Sequence, residues 1–225
     1  MALLSAEMII ITAIFVLAFI GFVYLVRRVF YLQNNSFDQE VFNYLDRYVS
    51  PANNKIMQVV TFFGTHRFLI PANLLLIAYF LFVKKDKWYS IKVPAIALSS
   101  LLLMFVLKHL FGRERPLIPL LEPAKGLSFP SGHALMSTTF YGLLIYITYY
   151  SVKDNRIKWA IMSALFCWIL LIGFSRIYLR VHYTSDVLAG LALGWLWIVI
   201  SLKVLERLEK KSMQIEPLAV KAGIP

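Results

Sequence analysis

The sequence predicts an all-α, polytopic membrane bundle of six transmembrane helices, with an amphipathic helix lying at the interface between the first and second. Three observations carry this expectation. Of the 225 residues, 60% are hydrophobic and the mean hydropathy is +0.70, beyond what a soluble domain of this size usually carries. The apolar residues fall into repeated runs that approach the ~20 residues needed to cross a bilayer. Polar and charged residues gather in three short stretches at the borders of those runs. Strong bases are expensive to keep at membrane borders without partners or a purpose.

The first run covers residues 8–26. No Lys or Arg precedes it, it exceeds a usual signal-peptide core, and Arg27-Arg28 follows it, so a retained helix is expected rather than a cleaved signal. A connection over residues 27–67 contains Phe37, Val41, Tyr44, Leu45, Tyr48 and Val49 at helical spacing among Asp38, Glu40, Asp46 and Arg47. That pattern suits an interfacial helix, ended by Pro51. It packs on the bundle or borders a route for lipid entry, and the pattern does not separate the two. The second span covers residues 68–83, with an earlier start near Ile56 also open and Pro71 as a kink point; a turn at residues 84–87 follows. The third covers 91–107 and runs into a loop at 111–130 whose Gly112, Pro116, Pro119, Pro123 and Gly126 resist continuous helix. The fourth runs from 131 or 134 to 150, the fifth from 159 to 174 and the sixth from 187 to 205. A polar tail, residues 206–225, is expected to be frayed or interfacial. No repeat or second domain is evident, so residues 1–225 read as one membrane domain. Its chemistry lies in 108–186, and 1–67 supplies the first helix and the interfacial segment.

An even number of spans puts both termini on one face with the turns at 84–87 and 153–158, and puts the three polar stretches on the other. Charge bias barely orients this arrangement, since Lys and Arg number 12 on the first face and 11 on the second. The short cationic turns favour cytoplasmic termini, with the polar stretches facing the periplasm or cell exterior. Lys and Arg exceed Asp and Glu by 23 to 12, but no basic stripe forms, so anionic lipid explains the excess better than nucleic acid. The lone Cys167 excludes an intrachain disulfide and a cysteine-rich metal site, and is expected to be a small buried apolar residue.

The first polar stretch holds Lys108 and, seven residues on, Arg115-Pro116. Two helical turns apart, with Gly112 between them, the two bases can turn toward one anion. The second, Pro130-Ser131-Gly132-His133, has the composition of a helix start. Free backbone N–H groups there bind anions, glycine allows close approach, and a histidine can move a proton. A plain helix cap explains the same tetrapeptide. The third holds Arg176, whose planar fork suits two phosphate oxygens, then His182 and, four residues later, Asp186. The carboxylate can fix one imidazole nitrogen and leave the other free to attack phosphorus, whereas zinc would need further ligands at diagnostic spacing. Arg113 and Arg180 read as bases snorkelling to the interface.

Taken together, Lys108 with Arg115-Pro116, then Pro130 to His133, then Ser175-Arg176 with His182 and Asp186, resemble the signatures of the type-2 phosphatidic acid phosphatase family. The resemblance implies a membrane phosphatase without metal or other cofactor, acting on a phosphorylated membrane lipid. It implies His182 as nucleophile oriented by Asp186, His133 as proton donor to the leaving group, and Lys108, Arg115, Ser131, Gly132 and Arg176 as the phosphate cradle. The substrates it suggests first are undecaprenyl diphosphate and phosphatidylglycerol phosphate, ahead of phosphatidate and lipid A phosphate. The same signatures occur in vanadium haloperoxidases, which are soluble, so the apolar spans argue against that branch. A phosphotransferase sharing the phosphohistidine intermediate is the alternative, because the motifs do not choose between water and an alcohol as acceptor. A non-enzymatic lipid or anion transporter also lines a cavity with charge, but needs neither the His–Asp pair nor the second histidine. Oligomeric state is unread: Gly190 and Gly194 make a small-xxx-small pattern that serves internal packing as readily as dimerisation.

Overall fold

The computed structural model describes residues 6–121 and 126–221, with the side chains of 8–121 and 126–214. Pro123 and the last four residues lie outside the described part. The described residues form eight α-helices, in order α1 (Ala6–Val26), α2 (Ser36–Leu45), α3 (Pro51–Phe62), α4 (His66–Ala78), α5 (Lys87–Phe111), α6 (Gly132–Ser151), α7 (Asn155–Tyr178) and α8 (Thr184–Lys221). Among the described residues there is no strand. Short π-helical turns prolong α1 through Tyr31 and α4 through Lys84.

Five described stretches are long and apolar enough to cross a membrane: Met8–Tyr31, Pro51–Lys84, Lys87–Phe111, Asn155–Tyr178 and Thr184–Gln214. The remaining expected span is α6, which is long enough but carries Ser137, Thr138, Thr139 and Tyr141. Those residues are buried because α6 is enclosed by α5, α7 and α8, so it needs no uniformly lipid-like surface. Its packing on α8 depends on small residues. A Cβ at Gly190 would lie 2.6 Å from the Ser131 carbonyl oxygen, and one at Gly194 would lie 2.9 Å from that of Leu135. The small-residue pattern therefore serves packing within the chain.

Three expectations are corrected. The connection 27–67 is not wholly interfacial. Its amphipathic part is α2, whose Phe42 and Leu45 pack with Ala134, Ile177 and Val187, but α3 belongs to the bundle. Ser50 caps α3 with Pro51 in its first turn, and the turn at Gly64 separates it from α4. A Cβ at Gly64 would lie 2.7 Å from Ile172 and 3.1 Å from the His133 ring, so the chain turns there only because the side chain is missing. Of the two readings of the tail, fraying does not hold through residue 221, because α8 continues to Lys221. Helix-forming Leu, Glu, Lys and Arg extend it. Glu209 pairs with the buried Lys92 at 2.6 Å, while Glu206 accepts from the Tyr146 hydroxyl at 2.6 Å. Cys167 is exposed, because the inward face of α7 is carried by Trp168, Ile169 and Ile172.

Replacing Gly190 with Ala should therefore force α8 away from α6 and lower stability by about 1–3 kcal/mol. Thermal unfolding in detergent micelles checks this, and an unchanged midpoint would mean that the helices do not meet so closely.

Candidate active site

Four helix ends meet at one end of the bundle. Lys108 sits in the last turn of α5, Ser131 caps the start of α6, Arg176 lies in the last turn of α7, and Asp186 lies in the first turn of α8. The loops between them carry Arg115 and His182. Phe129 is fully enclosed against the rings of Phe30 and Phe111, anchoring the segment that leads into α6. The Ser131 N–H donates to the Asp186 carbonyl oxygen at 2.9 Å, joining the starts of α6 and α8.

His182 is 1% exposed and its two ring nitrogens face different surroundings. Nε2 lies 3.3 Å from an Arg115 guanidinium nitrogen that also donates to the Val181 carbonyl oxygen at 2.7 Å. Nδ1 lies 3.3 Å from Ser128 Oγ and 3.6 Å from Asp186 Oδ2. Ser128 Oγ in turn donates to Asp186 Oδ2, so the serine hydroxyl accepts from Nδ1–H and relays the carboxylate. The direct His182–Asp186 bond expected from the spacing is thus largely replaced by a serine bridge. Asp186 turns back instead to accept the Tyr183 N–H at 3.0 Å, closing the first turn of α8 as a capping box does. Burial, reinforced by Arg115, Arg176 and Lys108, pushes His182 well below the ordinary imidazole range. The ring is therefore neutral at neutral pH, and with the proton on Nδ1 its Nε2 lone pair faces Arg115.

The remaining predicted residues surround this pair. Lys108 Nζ donates to the Leu127 carbonyl oxygen at 2.5 Å, and Arg115 Nε to that of Gly126 at 2.9 Å, so backbone oxygens of one loop aim both bases. Arg176, 6% exposed, donates to Thr61 of α3 at 2.7 Å, which leaves its buried Nε without a partner among the described residues. His133 Nε2 is likewise buried and unpaired, within electrostatic reach of Arg176, His182 and Arg115. Buried polar groups of this kind cost free energy unless something satisfies them, and an anion with several oxygens can accept from the Arg176 Nε–H. The Ser131 hydroxyl caps Ala134, and the space a Gly132 side chain would need is taken by Met104.

Sequence reasoning missed five participants. Ser128 adjoins the second motif, and Thr61 lies on α3, in the stretch where the sequence leaves an earlier start of the second span open. Arg113 does not snorkel: its Nη1 donates to Asp186 Oδ1 at 2.5 Å and its Nη2 to Asp38 at 2.9 Å, joined by Ser185. Spacing carried no signal for these pairings, apart from the position of Arg113 inside the first motif. Arg180 stays peripheral, paired with Asp46 and stacked over Phe42.

A membrane-embedded helical bundle that gathers three bases and two histidines at one end defines a phosphate-handling membrane protein. Residues 90–210 match the model of the PAP2 superfamily, and the chain belongs to that family. It is 31% identical over 150 residues to phosphatidylglycerophosphatase B of Bacillus subtilis, covering 65% of this chain and 72% of that one. Undecaprenyl-diphosphatase of Sulfolobus acidocaldarius is 27% identical over 174 residues, covering 72% and 75%. The crystal structure of a transmembrane PAP2 type phosphatidylglycerolphosphate phosphatase from Bacillus subtilis superposes with a TM-score of 0.78 at 27% identity, covering 86% of this chain and 96% of that one. The protein is a membrane phosphatase of this family.

Nitrogen NMR of histidine-labelled protein in detergent, assigned by the signal lost in His182→Gln, should find His182 neutral at about pH 6.5, the ordinary imidazole midpoint. A half-protonated ring at that pH would mean that the surrounding bases do not act on it as described.

Proposed function

We propose that the protein hydrolyses a lipid phosphomonoester or terminal diphosphate through a phosphohistidine formed on His182. The observation that carries this reading is the division of the His182 ring: Nδ1 is held toward Ser128 and Asp186, while Nε2 faces the basic cluster. Lys108, Arg115 and Arg176 hold the phosphoryl oxygens and stabilise the charge that spreads over them during transfer. Nε2 attacks phosphorus as the bond to the leaving oxygen breaks, and His133, which takes up a proton when the anionic phosphate binds beside it, gives that oxygen its proton. The neutral His133 then takes a proton from water. The resulting hydroxide attacks phosphorus, the P–N bond breaks, and inorganic phosphate leaves with His182 restored. Asp186, through Ser128, keeps the proton on Nδ1 and stabilises the positive ring of the intermediate.

The names of the relatives support phosphatidylglycerol phosphate and undecaprenyl diphosphate as the first substrates to try. The cationic turns at residues 84–87 and 153–158 support a plasma-membrane orientation with cytoplasmic termini and a site open toward the periplasm or exterior.

Purified protein offered those two lipids, phosphatidate and lipid A phosphate should release phosphate from at least one. His182→Ala should lose on the order of 10³-fold or more of that rate, and a chelator should leave it unchanged. Turnover that survives His182→Ala would refute the nucleophile assignment, and turnover abolished by the chelator would refute the metal-free mechanism.

A further inference from the structure

Helix α2 has an apolar anchor in Phe42 and Leu45, and an anchor of that kind needs no buried charge. Asp38 on the same helix is nevertheless 2% exposed, and both of its oxygens are engaged. Oδ1 accepts the Ser185 N–H at 2.8 Å, while Oδ2 accepts the Ser185 hydroxyl at 2.7 Å and Arg113 Nη2 at 2.9 Å. A carboxylate from a helix far away in sequence thus caps the first turn of α8, where the helix dipole favours negative charge. Arg113 is gripped between two carboxylates. One edge goes to Asp186 Oδ1 and Ser185, the other to Asp38 and Asn35, and its plane lies over the Tyr183 ring at 4.1 Å.

We propose that Asp38 is a positioning residue for the phosphatase reaction, acting through Arg113 and the first turn of α8 to set Asp186 and thereby the tautomer of His182. This rests on the assignment of His182 as the nucleophile. Arg113 can bridge because a guanidinium presents separate donors on two edges, which an ammonium does not. While Asp38 holds one edge, Arg113 reaches Asp186 through a single nitrogen and takes only Oδ1. Oδ2 is thereby left to Ser128, the Tyr183 N–H and His182. Without the pull of Asp38, the fork is free to turn onto both oxygens of Asp186 and to compete with Ser128 for Oδ2. The first turn of α8, which carries Asp186, also loses its cap. The phosphate-facing bases Lys108, Arg115 and Arg176 make none of the hydrogen bonds described to Asp38, Arg113, Ser185 or the Asp186 carboxylate. The chemical step should therefore suffer more than substrate binding.

The test uses the full chain in detergent and whichever lipid of the four-lipid panel the wild-type protein hydrolyses fastest. Asp38→Asn, which keeps the shape and removes the charge, should lower kcat by about tenfold or more while KM moves by less than about threefold. Arg113→Lys should give the same split, and serves alone if Asp38→Asn does not yield folded protein. Nitrogen NMR adds a readout that a purely structural cap would not move: His182 should be the Nδ1–H tautomer in the wild type and a mixture in folded Asp38→Asn. A kcat within about twofold of wild type in the folded variants would overturn the inference. So would an unchanged tautomer in Asp38→Asn, or an Nε2–H tautomer in the wild type. Turnover surviving in His182→Ala would sink the nucleophile assignment and this inference with it. Turnover lost there but intact in Asp38→Asn would sink this inference alone.

Discussion

Crowding of like charge governs this end of the molecule. Lys108, Arg115 and Arg176 lie within electrostatic reach of one another and are largely withdrawn from water. In such surroundings mutual repulsion is strong and desolvation is costly, so the cluster needs opposite charge and fixed donors and acceptors around it. Backbone oxygens of Gly126, Leu127 and Val181 meet part of that need, Thr61 holds Arg176, and Asp186 supplies the negative charge nearest the histidine. Under the proposed function, a phosphate group neutralises what these leave over, and the imbalance of charge is what binds and activates it.

The bundle is built to hold these charges in place. Gly64, Gly190 and Gly194 let helices and turns approach to distances that a Cβ would forbid, which brings α6 with His133 against α8 with Asp186. The hydrogen bond from Ser131 N–H to the Asp186 carbonyl oxygen links the two helix starts directly. Apolar clusters on either side of α6 make the arrangement rigid: Val60, Leu69, Phe140 and Ile172 toward α3, α4 and α7, and Val93, Leu143 and Ile198 toward α5 and α8. Precision of this kind is worth more to catalysis than additional polar contacts, because a small misplacement of the nucleophile is costly.

Much of this was legible in the sequence. Long apolar runs located the spans, and the three polar stretches located the bases and histidines because charge is rare in such surroundings. What could not be read shares a physical cause. Arg113 pairs with Asp38 and Asp186 across the bundle, and such pairing leaves no periodicity in the chain. Ser128 was unremarkable until its hydroxyl was seen between a carboxylate and an imidazole. The start of α3 was polar enough to resemble a connection, since Asn53, Asn54, Lys55 and Gln58 dilute its apolar face, so the sequence leaves the second span's start open between Ile56 and Phe68 and assigns Thr61 no role. The i,i+4 spacing of His182 and Asp186 correctly predicted nearness, but a backbone N–H and a serine compete for the same carboxylate oxygen.

The central claim is that His182 Nε2 becomes bonded to phosphorus during turnover. Rapid quenching of the protein with a lipid labelled in its terminal phosphate tests it most directly. The account predicts a label on His182 that is stable to base, labile to acid and absent from His182→Ala. Turnover at the full rate with no labelled protein at any quench time, or with the label on another residue, would contradict it.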